Sequence, residues 1–303
     1  MSHTPTPLGG VLAVDKPAGY TSHDVVARVR RLAGLRQVGH AGTLDPMATG
    51  LLLLCLGRAT RLLEYVSGQE KSYVAGITLG ISTNTYDAEG EISAQRPLPE
   101  LSAEQLDQAL AAFRGPIMQR PPAFSALKRD GIPLYQRARA GETVTVDPRP
   151  VTVYSLELLD FNPPHLTLQV RCGAGTYVRS LAHDLGEAIG CGAHLHSLRR
   201  DAIGTFHVAD AFTLPQLETM AARAELAAAI LPPERAVQHL PRLDADTAAT
   251  RRLIFGQSIA ATAAAEPGPA RVYDADGHFM GIAEYDAARR AWRPHKLLTI
   301  GDA

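Results

Sequence analysis

Only three cysteines occur in 303 residues, at 55, 172 and 191, and none forms a CxxC pair. An odd, scattered set excludes a disulfide framework and a cysteine-rich zinc site, so Cys55, Cys172 and Cys191 are read as small buried hydrophobes. Long apolar runs are also missing. The longest, Leu51 to Leu56, falls far short of the roughly 20 residues that span a bilayer, and the N-terminal segment has no signal-type apolar region. A cytoplasmic protein with no membrane partner is expected. Excess charge is lacking too: 30 Lys and Arg against 31 Asp and Glu give a net charge of −1, which by itself offers nothing to a polyanion. The remaining composition, 46% hydrophobic and 20% charged, excludes disorder and collagen-like repeats and suits a chain long enough to bury a substantial core.

The neutrality is a cancellation. Residues 1–40 hold five Lys or Arg against two acids, and residues 114–150 hold Arg114, Arg120, Lys128, Arg129, Arg137, Arg139 and Arg149 against three. Residues 86–107 run the other way, with Asp87, Glu89, Glu91, Glu100, Glu104 and Asp107 against Arg96 alone. Imbalance of this size also occurs on plain solvated surfaces, so charge alone leaves both readings open.

Ser22 is placed to cap a helix carrying Val25, Val29 and Leu32 at i, i+4 and i+7, with Gly34 as its stop. Tyr73, Ala75, Ile77 and Leu79 alternate as one face of a strand, and residues 84–90 read as a loop. Ser102 and Gln105 form a capping box for a helix through Leu106 and Leu110 to about Gly115. Val151 to Phe161 and Leu166 to Cys172 flank an Asn162-Pro163-Pro164 turn as a hairpin. A helix from about Thr176 to Gly190 sets Val178, Leu181, Leu185 and Ile189 on one side. An Ala-rich helix is expected over residues 215–231 and a boundary before Arg242, with two short strands between Arg271 and Tyr285. Strands and helices mix without a βαβ period or an internal repeat, which favours an α+β fold. Residues 1–238 are expected to form one large domain and residues 239–303 a small β-rich one.

The densest chemical signal is Gly39-His40-Ala41-Gly42-Thr43-Leu44-Asp45-Pro46-Met47-Ala48-Thr49-Gly50. Glycine allows close backbone approach to a ligand, and Pro46 biases Asp45 toward an extended conformation. Spacing alone favours a Gly-rich turn with a structural aspartate, and neither GxxxxGK[ST] nor GxGxxG is present. His40 has no second ligand at metal spacing, so no metal site is expected.

Taken with other segments, this loop resembles the signature of the TruB family of tRNA pseudouridine synthases. The likeness continues through Asp15-Lys16-Pro17-Ala18-Gly19-Tyr20-Thr21-Ser22, Lys71-Ser72-Tyr73, Pro121-Pro122-Ala123-Phe124-Ser125-Ala126-Leu127-Lys128 and Gly175-Thr176-Tyr177-Val178-Arg179. Leu198-Arg199-Arg200 followed by Gly204-Thr205-Phe206 extends it, so that the motifs run in order over about 200 residues. It departs at Phe124, where relatives commonly carry tyrosine, so no hydroxyl contact is implied there. The region after about residue 240 resembles the family's PUA-like RNA-binding module less distinctly.

The resemblance implies an α+β catalytic domain built on a mixed, mainly antiparallel sheet. It implies isomerisation of the T-loop uridine at tRNA position 55, the tRNA T-arm as partner, a monomer, and neither cofactor nor metal. The catalytic aspartate falls on Asp45, as nucleophile toward sugar or base or as acceptor of a sugar proton. Arg179 matches the arginine beside it, whose charge would favour the ionised carboxylate. Tyr73 matches the residue that stacks on the target base, Tyr177 and Leu198 match the uracil pocket, and His40 matches a group that helps hold the RNA loop open. Residues 114–150, with Lys128, Arg129, Arg137 and Arg139 flanking Tyr135, resemble an insertion that closes on RNA through phosphate contacts. Without the resemblance, Arg179 reads as a solvent-facing helix arginine, Tyr73 as a core tyrosine, and Tyr177 and Leu198 as packing. Two rivals stand beside this reading: a non-catalytic RNA-binding protein and an aspartate-nucleophile hydrolase. A compact C-terminal region without a Lys-rich tail favours a stand-alone enzyme over the guide-RNA relatives.

Overall fold

In the computed structural model, residues 9–125, 128, 129, 131–139, 142, 146–261 and 267–298 are described. Strand β1 (Gly10–Lys16) leads into helix α1 (Ser22–Ala33). The cap is Thr21 and not Ser22: the Thr21 side chain accepts from Asp24 N, and the Asp24 carboxylate accepts from Thr21 N at 2.9 Å. Ser22 is thereby free to face the loop ahead, where Leu44 N donates to its Oγ at 2.9 Å and Oγ donates back to Leu44 O at 3.1 Å. Gly34, at φ 63°, stops the helix as expected.

Strands β2 (Val38–His40) and β3 (Thr49–Leu56) follow, then a 3-10 turn (Gly57–Leu62), helix α2 (Leu63–Ser67) and strand β4 (Lys71–Leu79). β5 (Ile81–Thr83) and β6 (Ile92–Gln95) pair around the expected loop, and α3 (Ala103–Ala111) leads to β7 (Gly115–Gln119). A small ribbon, β8 (Lys128–Arg129) with β9 (Ile132–Pro133), precedes α4 (Leu134–Arg139). The hairpin β10 (Arg149–Asn162) and β11 (His165–Cys172) is in the expected place. Then come α5 (Val178–Ile189), β12 (Ala193–Ile203), β13 (Phe206–His207), β14 (Phe212–Thr213) and α6 (Leu214–Ala222).

Among the described residues these strands form a ten-stranded sheet, in the order β14-β1-β3-β12-β4-β11-β10-β7, with β2 on β3 and β13 on β12. Only β1 with β14 and β3 with β12 run parallel, so the sheet is mixed and mainly antiparallel, as expected. One face carries Leu12, Leu52, Leu54, Tyr73, Ala75, Ile77 and Leu168 into a core closed by α1, α3 and α5. The other face of β1 and β3 carries Val11, Ala13, Leu51, Leu53 and Cys55 into a second cluster with Leu62, Val66 and Val237. The run Leu51 to Leu56 is therefore a strand buried on both sides, which explains its unbroken apolar character.

The expected Ala-rich helix over 215–231 is shorter. It ends at Ala222, Ala224 takes a positive φ of 58°, and a separate 3-10 turn covers Leu226–Ala229. The competing pull is backbone pairing, because Val11 and Leu231 exchange N–H···O bonds of 2.9 and 2.8 Å; tertiary contact overrides helix propensity. Gly115–Gln119, inside the segment 114–150 expected as an insertion, pairs in register with Arg149–Val153 as part of the main sheet.

A second sheet, β15 (Arg242–Asp244), β17 (Pro269–Tyr273), β18 (Phe279–Asp286), β19 (Ala291–Leu297) and β16 (Ile259–Ala260), packs its own cluster with helix α7 (Thr247–Ile254). Ile282 and Leu298 join the second cluster of the main sheet, and Arg58 donates to Leu298 O at 2.8 Å, which docks the two sheets together. Among the described residues no helix is long and apolar enough to cross a membrane.

Candidate active site

The loop between β2 and β3 is pinned on both sides of Asp45. Ahead of it lies the Ser22–Leu44 pair. Behind it, Pro46 O accepts from Gly19 N at 2.9 Å and from Lys16 Nζ at 3.1 Å. Lys16 has no exposed surface and donates also to Pro17 O and Tyr20 O. Burial pushes its ammonium down to about 8, against the opposing pull of Asp45.

Asp45 and Arg179, 134 residues apart, meet in a two-point ion pair: Nε lies 2.9 Å from Oδ2, and Nη2 donates to Oδ1 at 3.2 Å. Arg179 is buried, the opposite of a solvent-facing helix arginine. It sits in the first turn of α5, behind Tyr177, whose backbone is held by Gln119 through bonds of 2.8 and 3.0 Å. Its remaining donors reach Thr85 O and the Asp87 carboxylate from Nη1, and Phe124 O from Nη2. The contact at Phe124 is a backbone carbonyl, so phenylalanine at this position leaves it intact.

Asp87 was not singled out in the sequence. It appears there as one of six acids in a segment whose charge left a solvated surface open as one reading, and it is 3% exposed. Its carboxylate accepts from Thr85 Oγ1 at 2.6 Å and Glu89 N at 3.1 Å as well as from Arg179. Burial raises the pKa of Asp45 above the ordinary carboxylate range; Arg179 and Lys16 pull it back and Asp87 pushes it further up. Arg179 thus acts in the expected direction, favouring the ionised carboxylate against the larger effect of burial.

Asp45, Arg179, Tyr73, Tyr177, Leu198 and Phe124 line one cavity of about 930 Å³. Tyr73 belongs to the core cluster, as its strand phase predicts, and its ring also forms part of this wall. Tyr177 lies under Arg149, whose guanidinium is 5.1 Å from the ring centre. His40 is not in the wall. It ends strand β2, half-buried, and packs edge-on at 5.3 Å against His23, which does line the cavity. Burial, His23 and Arg200 lower the pKa of His40. Lys128 and Arg129 form strand β8, and their side chains lie outside the described residues. Sequence reasoning also passed over Lys71 and Arg200, which line the cavity although each is in phase with buried neighbours on its strand. Outside the cavity, Asp274, Asp276 and His278 bring potential metal-binding atoms within 4.8 Å at an exposed turn, but Asp274 Oδ1 already accepts from Asp276 N and His278 N.

The arrangement can hold a flat ring between apolar and aromatic walls beside the Asp45 carboxylate. Solved structures share this fold. The chain aligns over 98% of its length with 87% of a chain in an H/ACA RNP bound to a substrate RNA containing 2'-deoxyuridine, at 25% identity and a TM-score of 0.74. It aligns over 97% with 87% of a chain in the archaeal box H/ACA sRNP Nop10–Cbf5 complex, at 26% identity and a TM-score of 0.74. Among curated proteins, "tRNA pseudouridine synthase B" of Dehalococcoides mccartyi (strain CBDB1) is 43% identical over 96% of both chains. The protein of that name from Pseudomonas aeruginosa (strain UCBPP-PA14) is 44% identical over 91% of this chain and 92% of its own. Fold and relatives define an isomerase of the pseudouridine synthase class. Residues 30–178 match the N-terminal domain of TruB family pseudouridylate synthase, 179–238 the tRNA pseudouridylate synthase B C-terminal domain, and 241–292 the C-terminal region of pseudouridine synthase II TruB. The chain belongs to the TruB family.

Proposed function

We propose that this chain isomerises the uridine at position 55 in the T-loop of tRNA, acting as a cytoplasmic monomer with Asp45 as its catalytic carboxylate. The observation that carries the reading is the Asp45–Arg179 pair set into a cavity walled by Tyr73, Tyr177 and Leu198. In this reaction the C1′–N1 bond breaks, the base turns, a C1′–C5 bond forms, the C5 proton leaves and N1 gains one. Nothing is oxidised and no group is donated, so no cofactor is required. Arg179 holds the carboxylate at two points, fixing its position for attack or proton transfer.

A uridine stacked inside a folded arm must leave the stack to enter the cavity. Tyr73 receives the flipped ring, a contact worth about 1–3 kcal/mol per base. His40, behind His23, supports the opened RNA loop. Residues 1–238 serve as the catalytic unit and 239–303 as an RNA-binding unit, a division supported by the separate five-stranded sheet. The segment between β7 and β10, with Lys128 and Arg129, supplies phosphate contacts.

The test is tritium release from T-arm RNA labelled at C5 of the target uridine. Wild-type protein should release the label without freeing uracil. Asp45→Asn should release none while retaining RNA binding. Release by Asp45→Asn would overturn the mechanism, and wild-type binding without release would favour the non-catalytic reading. Free uracil would indicate a hydrolase.

A further inference from the structure

Lys71 and Arg200 are cations at the floor of the cavity, 6% and 1% exposed. They lie on adjacent strands, with Arg200 opposite Tyr73 and Lys71 two positions along on the same face. The Arg200 guanidinium sits 6.0 Å from the Tyr73 ring centre. Lys71 Nζ donates to Ser67 O and Gln69 O, and Arg200 donates to Leu51 O and Gly42 O. Every acceptor is a backbone carbonyl. Among the described residues no carboxylate lies within ion-pair distance of either group, and Asp45 and Asp87, two of the four acids lining the cavity, are taken by Arg179.

Burying a charge without a counter-ion costs several kcal/mol, and here two like charges are buried side by side. The Lys71 ammonium falls to about 8, mainly through burial and then through the Arg200 charge. A fold retains such an arrangement where charge of the opposite sign arrives during function.

We propose that Lys71 and Arg200 stabilise the detached uracil as its anion. When the C1′–N1 bond breaks, its electron pair leaves with the base and spreads over N1, O2 and O4. Two fixed positive charges beneath the stacking tyrosine are preorganised for that charge. When C5 is joined to C1′, the C5 proton leaves and N1 is protonated, so the stored charge is discharged within the same site. This assignment rests on the reading of the Asp45 cavity as the isomerisation centre and extends it to the leaving group.

The experiment measures single-turnover rates of the full chain on two T-arm RNAs, one with uridine and one with 5-fluorouridine at the target. Fluorine withdraws charge from the ring and makes the base a better leaving anion. Conversion is read as tritium release for uridine and as loss of the intact nucleoside after nuclease digestion for 5-fluorouridine. Lys71→Gln keeps a donor for Ser67 O and Gln69 O but removes the charge. Its rate on uridine should fall about 100-fold, with RNA affinity within twofold, and the loss on 5-fluorouridine should be at least tenfold smaller. Lys71→Arg should recover at least tenfold of the uridine loss, and Arg200→Gln should repeat the pattern from the neighbouring strand if Lys71→Gln does not fold. Equal losses on both bases would overturn the proposal, as would a fully active Lys71→Gln. Weakened RNA binding with an unchanged rate would assign the pair to a phosphate instead and would equally overturn it. Asp45→Asn, run alongside, should convert neither RNA; activity there would refute the site reading itself and leave the charge comparison as a separate result.

Discussion

Replacing Asp87 by asparagine isolates what the second carboxylate does. The substituted side chain keeps an acceptor for Thr85 Oγ1 and Glu89 N but presents an amide or an uncharged oxygen to Arg179 Nη1, where the charged contact is 3.2 Å. Breaking a buried pair outright costs about 3–5 kcal/mol, whereas losing one hydrogen bond to a charged group costs about 1.5–3 kcal/mol. Arg179 stays paired with Asp45 and with two carbonyls, so the smaller figure applies and a loss of about 2 kcal/mol is expected. Misplacing the guanidinium by about 1 Å would lower the plateau rate of tritium release by about 10–100-fold, with little change in RNA affinity. The pH dependence has the opposite sense. Asp87 raises the pKa of Asp45, so neutralising it lets Asp45 ionise at lower pH, and the acidic limb of the rate profile should move down while the plateau falls. Single-turnover rates over a pH series measure both. An acidic limb that stays in place or moves up, or an undiminished plateau, would refute the argument that Asp87 acts through Arg179.

Asp45→Asn should remove the part of the pH dependence of stability that Asp45 carries. A carboxyl whose folded pKa is raised contributes its stability below its unfolded pKa, about 4, and loses it as pH rises through the folded value; calorimetry should find the wild type gaining stability relative to the variant as pH falls toward 4. Ser22→Ala removes both bonds to Leu44 and should destabilise by about 1–2 kcal/mol in urea titrations, with a reduced rate on T-arm RNA as the Asp45 loop loosens. RNA affinity should fall steeply between about 50 and 200 mM salt, and replacing Lys128 and Arg129 together should lower the salt slope by about two. A flat salt response would remove the phosphate-contact argument.

Elements decided by local pattern were legible in the chain's own residue order. The alternation of Tyr73 to Leu79, the Asn162-Pro163-Pro164 turn and the apolar stripe of α5 each correspond to an observed element. α6 was overextended because the pairing of Leu231 with Val11 is set by a strand 220 residues away in sequence. In the site, Asp45 stood out only because its loop resembles a known signature. The burial of Arg179 depends on Asp87, Thr85 and Phe124 arriving from two other loops, which no helical periodicity reports. Lys71 and Arg200 were legible in principle, since strand alternation puts each in phase with a buried neighbour, Tyr73 and Leu198. A charged residue on a buried phase is a signal that hydrophobic patterning discards. The three cysteines were read correctly, all being buried thiols.

The central claim is that this chain, through Asp45, makes pseudouridine at one T-loop position of tRNA. A nearest-neighbour map of pseudouridine in total tRNA from a strain lacking the gene, complemented with wild-type or Asp45→Asn protein, tests it most directly. Pseudouridine at position 55 should disappear in the deletion, return with the wild-type chain and stay absent with Asp45→Asn, while other positions are unchanged. Retention of that pseudouridine in the deletion strain, or its return with the Asn variant, would contradict the claim.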